Sequence, residues 1–109
     1  MEWLYIVYMK FGYINKFTAQ TNKRSELIEL LLQASKALET NEGCLYYLVS
    51  SSENEPAVVY VHEVWSSKQA HDASLSQTYI KTIIAKAMPL VASISNVAEL
   101  QLEGGKGLS

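Results

Sequence analysis

His62, Glu63, Trp65 and His71 fall within one short stretch, HEVWSSKQAHDASL. The chain has two histidines, and both are here. An imidazole changes charge near neutral pH and can take a proton from a phenol. A carboxyl in apolar surroundings holds its proton above the usual range. An indole offers a flat face to an aromatic ligand. These types together suit proton transfer on a small aromatic molecule. Metal chemistry finds no such support, since Cys44 has no His or Cys partner at ligand spacing and reads as a buried thiol.

Each candidate has an ordinary role beside the functional one. Trp65 can stack on a substrate, or it can close the sheet against the helices as core. His71 stands four residues before Leu75, so both can face inward from a helix; it can equally lie half exposed beside Asp72. Asn15 sits between Tyr13 and Phe17, and its amide can bond a ligand oxygen or the backbone. Glu63 is an inward carboxylate or a rim residue paired with a lysine. Tyr46 and Tyr79 are candidate substrate contacts, and a surface tyrosine is the alternative at position 79. His62 points opposite to Glu63 and reads as structural.

These side chains need elements to hold them. FGYINKFTAQ alternates as a strand, with Tyr13, Asn15 and Phe17 on one face. Leu27, Leu31, Ala34 and Leu38 then form a helical stripe, widened by Ile28 and Leu30. Thr21 or Asn22 is expected to cap its start and Gly43 to end it in a left-handed turn. CLYYLVS and AVVYVHEVW are two more strands, joined by the polar loop SSENEP as an antiparallel hairpin. Ser66 with Gln69 makes a capping box, so a helix begins after Trp65 and runs to about Leu75. Ile80, Ile83, Ile84 and Ala87 form the inward face of a further helix, which Pro89 ends or kinks. ISNVAELQL is the last strand.

The order β-α-β-β-α-α-β predicts an α+β, ferredoxin-like four-stranded antiparallel sheet with helices on one face. The chain of 109 residues suits one domain, and 49% hydrophobic residues suffice for its core. Residues 1–10 read as an N-terminal extension and 103–109 as a mobile tail. A net charge of -2 without basic clusters disfavours nucleic acid. The apolar run Trp3–Met9 is too short to span a membrane, and Glu2 does not suit a signal peptide. With one cysteine, a cytoplasmic location is expected. The hairpin strands are apolar on both faces, and no segment remains to cover the second one. A homodimer packed sheet to sheet is therefore expected.

FTAQTNKRSELIELL, NEGCLYYLV, VHEVWSSKQAHDASL and IAKAMPLV follow one another with a spacing that resembles the antibiotic biosynthesis monooxygenase family, which includes quinol monooxygenases. The likeness covers roughly residues 11–102, and its strongest element is Glu63-Val64-Trp65 followed by a helix opening Ser-Lys-x-Ala. The resemblance implies a dimeric α+β barrel with a cavity between sheet and helices. It implies oxidation of a small planar hydroquinone, phenol or anthrone by O2, with no metal or flavin cofactor. Members typically carry a His-Leu pair and then a Pro-His pair, where this chain has Ser74-Leu75 and Thr78-Tyr79. His71 stands where many relatives have a large apolar residue. Two rival functions use the same fold. A non-catalytic ligand-binding module would follow from the missing histidines. Haem degradation would need an axial histidine, and residues 76–93 contain none.

Overall fold

The computed structural model describes residues 9–107. Four strands, β1 (Phe11–Ala19), β2 (Cys44–Ser51), β3 (Val58–Trp65) and β4 (Val91–Gln101), form one antiparallel sheet in the order β2-β3-β1-β4. Three helices, α1 (Arg24–Ala37), α2 (Lys68–Ser74) and α3 (Thr78–Ala87), complete the α+β ferredoxin-like arrangement. Single 3-10 turns, Leu38–Thr40 and Met88–Leu90, follow α1 and α3. No described helix is long and apolar enough to cross a membrane.

The periodicities act as expected. Leu27, Leu31, Ala34 and Leu38 are buried, each one helical turn from the next. The first two pack on Val59 and Val61 of β3. The others pack with Ile80 of α3 around Trp65. Burying a leucine of this kind stabilises the fold by roughly 1.5–3 kcal/mol. Arg24 ties the hairpin loop to α1 by donating to the carbonyls of Ser52 and Glu55. Gly12 is required by a close approach: a Cβ there would lie 2.9 Å from Leu102 Cδ2 and 3.2 Å from Leu100 Cβ.

The ends of elements depart from expectation. The N-cap of α1 is Lys23, without a side-chain cap; Asn22 instead takes a left-handed turn at φ 63°. Asn tolerates that conformation, so its side chain serves the turn's geometry rather than the helix. Gly43 has no positive φ, because α1 tightens into a 3-10 turn that satisfies its last carbonyls first. What Gly43 provides is room, since a Cβ there would meet Ala70 Cβ of α2 at 2.9 Å. The cap of α2 is Ser67, whose hydroxyl accepts from Ala70 N at 3.1 Å, and not Ser66. Ser66 N instead donates to Gly43 O, which keeps Ser66 in the strand-like path. Ile84 faces inward as expected and lines the space between sheet and helices, where it stays 41% exposed. Pro89 follows α3 inside the 3-10 turn, as its missing N–H requires.

Three register shifts interrupt the sheet. One lies in β2 between Cys44 and Tyr46, which turns Cys44 to the helix side with Trp65. The other two lie in β4, opposite Ile14 and Asn15 and opposite Thr18 and Ala19. On the face away from the helices, Tyr46, Val64, Gly12 and Leu100 share one row, and Leu48, His62, Ile14 and Ala98 the next. Tyr46, Leu48 and Leu100 stay exposed there. Residues 103–107 of the expected tail have defined positions, and Tyr46 donates its hydroxyl proton to Gly107 O at 2.6 Å. Most of the expected N-terminal extension, residues 1–8, lies outside the described residues.

Candidate active site

A cavity of about 300 Å3 lies between the helix-side face of the sheet and the three helices. Its floor follows from strand register. Tyr47, Glu63 and Tyr13 stand side by side across β2, β3 and β1. Asn15 and Phe17 continue the floor along β1, two residues apart as the pleat demands. The walls are apolar: Leu31, Ala34 and Leu38 from α1 and its turn, Ile80, Ile83 and Ala87 from α3. From α2 come His71, Ser74 and Leu75, one helical turn apart.

His71 occupies an aromatic box. Its ring centroid lies 5.7 Å from Phe11, 5.3 Å from Tyr13 and 5.6 Å from Trp65, the indole meeting it edge-on at 80°. Its side chain is 12% exposed. Nδ1 lies 2.9 Å from Asp72 Oδ1, and Lys68 Nζ lies 3.3 Å from the other carboxylate oxygen. An ionised Asp72 accepts from Nδ1–H, which leaves Nε2 as the basic nitrogen. The hydrogen bond from His71, helped by Lys68, holds the Asp72 carboxyl below its ordinary pKa.

Glu63 lines the cavity and, among the described residues, pairs with no lysine. Trp65 Nε1 donates to its Oε1 at 3.0 Å. Burial raises its pKa, against the opposing pull of the indole N–H and of His71. Tyr47 is pushed upward mainly by its own burial and further by the Glu63 charge. The same two causes push the Cys44 thiol up to about 11, so it is not a nucleophile at neutral pH. Among the described residues no cluster of three or more His, Cys, Asp or Glu could hold a metal ion.

Of the residues expected to act, His71, Asn15 and Glu63 meet at the cavity. Asn15 does not turn to the backbone; its Oδ1 accepts from Asn96 Nδ2 of β4 at 3.3 Å. Trp65 is 0% exposed and does not line the cavity; its indole instead touches Glu63 and the His71 ring. Tyr46 faces the other side of the sheet, bonded to Gly107, because it has the opposite parity to Tyr47. Tyr79 is 38% exposed and also lies outside the cavity. Tyr47 and Ser74 were missed. Tyr47 reaches the cavity through the β2–β3 register, which sets it beside Glu63. Ser74 is buried at one of the family's usual histidine places, and its hydroxyl donates to His71 O at 2.6 Å. His62 lies on the opposite face, as expected, with Nε2 buried and without a partner among the described residues. A second depression lies at the rim between Met9, Phe11, Lys68 and the end of β4, and holds none of the expected site residues.

Comparison with known proteins agrees with this architecture. The model of the family described as antibiotic biosynthesis monooxygenase matches residues 11–86. No curated protein matches in sequence. The crystal structure of a candidate antibiotic biosynthesis monooxygenase from Chloroflexus aurantiacus is similar with a TM-score of 0.83 and 32% identity, over 92% of this chain and 99% of that one. A second candidate, from Caulobacter crescentus, has a TM-score of 0.81 and 22% identity over 93% and 96% of the two chains. A Pseudomonas aeruginosa protein shares the fold at 15% identity, with a TM-score of 0.79 over 90% and 98%. With a family match over most of the domain and a relative of this identity along nearly its whole length, the chain belongs to the antibiotic biosynthesis monooxygenase family.

Proposed function

We propose that the chain oxidises a small planar hydroquinone, phenol or anthrone with O2, using no metal or organic cofactor. The observation that carries this reading is His71, boxed by three aromatic rings at an apolar cavity and held at Nδ1 by Asp72. His71 Nε2 takes the phenolic or benzylic proton. The resulting anion gives one electron to O2. Substrate radical and superoxide then join as a peroxide, which takes the proton back. Loss of water leaves a new carbonyl, so one oxygen atom enters the product and the other leaves as water. The apolar walls exclude bulk water from the anion and the radical pair.

The test is oxygen uptake by metal-stripped protein given reduced naphthoquinols and anthrones, with the enzyme-free rate subtracted. His71→Ala should lower the rate by about 10²-fold or more. A rate that survives this change would remove His71 as the base. One observation favours a second reading, a binding module without turnover. At the family's usual histidine places, Ser74 is spent on its own helix and Tyr79 lies outside the cavity. Quenching of tryptophan fluorescence by these aromatics, with no uptake from any of them, would establish that reading instead.

A further inference from the structure

Among the described residues Glu63 is the one acidic side chain lining the cavity, and the one group there that can supply a countercharge is the His71 imidazole, whose pull is outweighed by burial. The described ion pairs involving Lys16, Lys23 and Lys68 are made with Glu55, Glu26 and Asp72. Arg24 is spent on two loop carbonyls. Trp65 Nε1 is the one hydrogen-bond partner of the Glu63 carboxyl among the described residues, and it occupies Oε1 only. The groups facing Glu63 are Tyr47 on β2, Tyr13 on β1 and His71 on α2, with Cys44 near Tyr47 and Glu99 beyond Tyr13. The walls from α1 and α3 are hydrocarbon. An unpaired carboxylate in such a place is costly, whereas a neutral carboxyl bonded by one indole is not.

We propose that Glu63 is the site's hydrogen-bond donor: its neutral carboxyl presents a proton to a carbonyl oxygen of the bound aromatic while His71 faces the hydroxyl. The direction in which burial moves the Glu63 pKa agrees with this state. Trp65 fixes the donor's direction by holding Oε1, which leaves the second oxygen to carry the proton into the cavity. The preferred ligand class is then a planar aromatic that carries both a hydroxyl and a carbonyl. A simple phenol would leave the carboxyl unpaired. The inference rests on reading the cavity as a site for a phenolic aromatic, and it does not need turnover.

The test is therefore equilibrium binding of two inert probes with one carbon frame, 7-hydroxy-1-tetralone and 5,6,7,8-tetrahydro-2-naphthol, followed by tryptophan quenching. They differ only in the carbonyl. Wild type should prefer the tetralone by roughly tenfold, the usual scale for one buried hydrogen bond. Glu63→Gln should keep that preference within about threefold, because an amide both accepts from Trp65 and donates to the carbonyl. Glu63→Leu should abolish it. The wild-type preference should fall as pH rises through the raised Glu63 pKa, while that of Glu63→Gln stays flat. A preference that rises with pH, survives Glu63→Leu, or vanishes in a Glu63→Gln variant at least as stable as wild type would overturn the assignment. So would a wild type that binds neither probe. Loss of oxygen uptake with this binding pattern intact would count against the oxygenase reading alone.

Discussion

At the residue scale, Glu63 links stability to pH in an unusual direction. Most carboxylates in folded proteins gain a partner and have lowered pKa values, as Glu55 does between Tyr60 and Lys16. Glu63 is raised by burial. The folded state therefore binds its proton more tightly than the unfolded chain, whose carboxyl titrates at about 4.3. The stability it contributes is fully present below that value and is lost as pH rises through the raised folded value. Glu63→Gln should thus match wild type near pH 4 and melt a few degrees higher at pH 8, about 4 °C for each kcal/mol. Calorimetry at the two pH values checks this. A variant no more stable than wild type at pH 8 would mean that the charge finds a partner on ionisation.

At the element scale, α2 is the short helix that carries His71 and Asp72, and its geometry depends on one cap. Ser67→Ala removes the bond to Ala70 N and should cost about 1 kcal/mol. Ser66→Ala should cost within about 0.5 kcal/mol, as a residue whose side chain caps nothing. Urea denaturation of the two variants separates them, and equal losses would place the cap wrongly. The sequence places this cap one residue early, at Ser66, because adjacent serines offer the same hydroxyl. Only the hydrogen bond from Ser66 N to Gly43 O decides which of them leaves the strand path. The β2 bulge had a similar effect. Strict alternation puts Cys44 with Tyr46, but one extra residue turns Cys44 toward Trp65.

At the scale of the whole molecule, the sheet face opposite the cavity is unfinished. Leu48 is 50% exposed beside His62, whose Nε2 is buried and unpaired among the described residues. An antiparallel sheet with one solvated face should alternate with polar residues there, and this one presents Tyr46, Leu48, Ile14 and Leu100. We expect a second copy to cover it. Light scattering at micromolar concentration should give twice the chain mass, and Leu48→Glu should return the monomer by placing a charge in the contact. A wild-type monomer would leave the face to another partner.

What the sequence determined by itself is what repeats along the chain. Periods of two and of three to four residues put Tyr13, Asn15 and Phe17 on one strand face and Leu27, Leu31, Ala34 and Leu38 on one helix face, because burial selects side chains at those intervals. Glu63 and His71 were legible as site residues for the same reason: each is a polar group at an inward position of an apolar pattern. The tertiary structure decided what depends on neighbours distant in sequence. It paired Asn15 with Asn96, an interaction between strands 81 residues apart. It buried Trp65 beneath α1 and α3, which converted a stacking surface into a prop for Glu63 and His71. It brought Tyr47 rather than Tyr46 to the cavity, since register across a sheet is fixed by the partner strand and not by the strand's own residues.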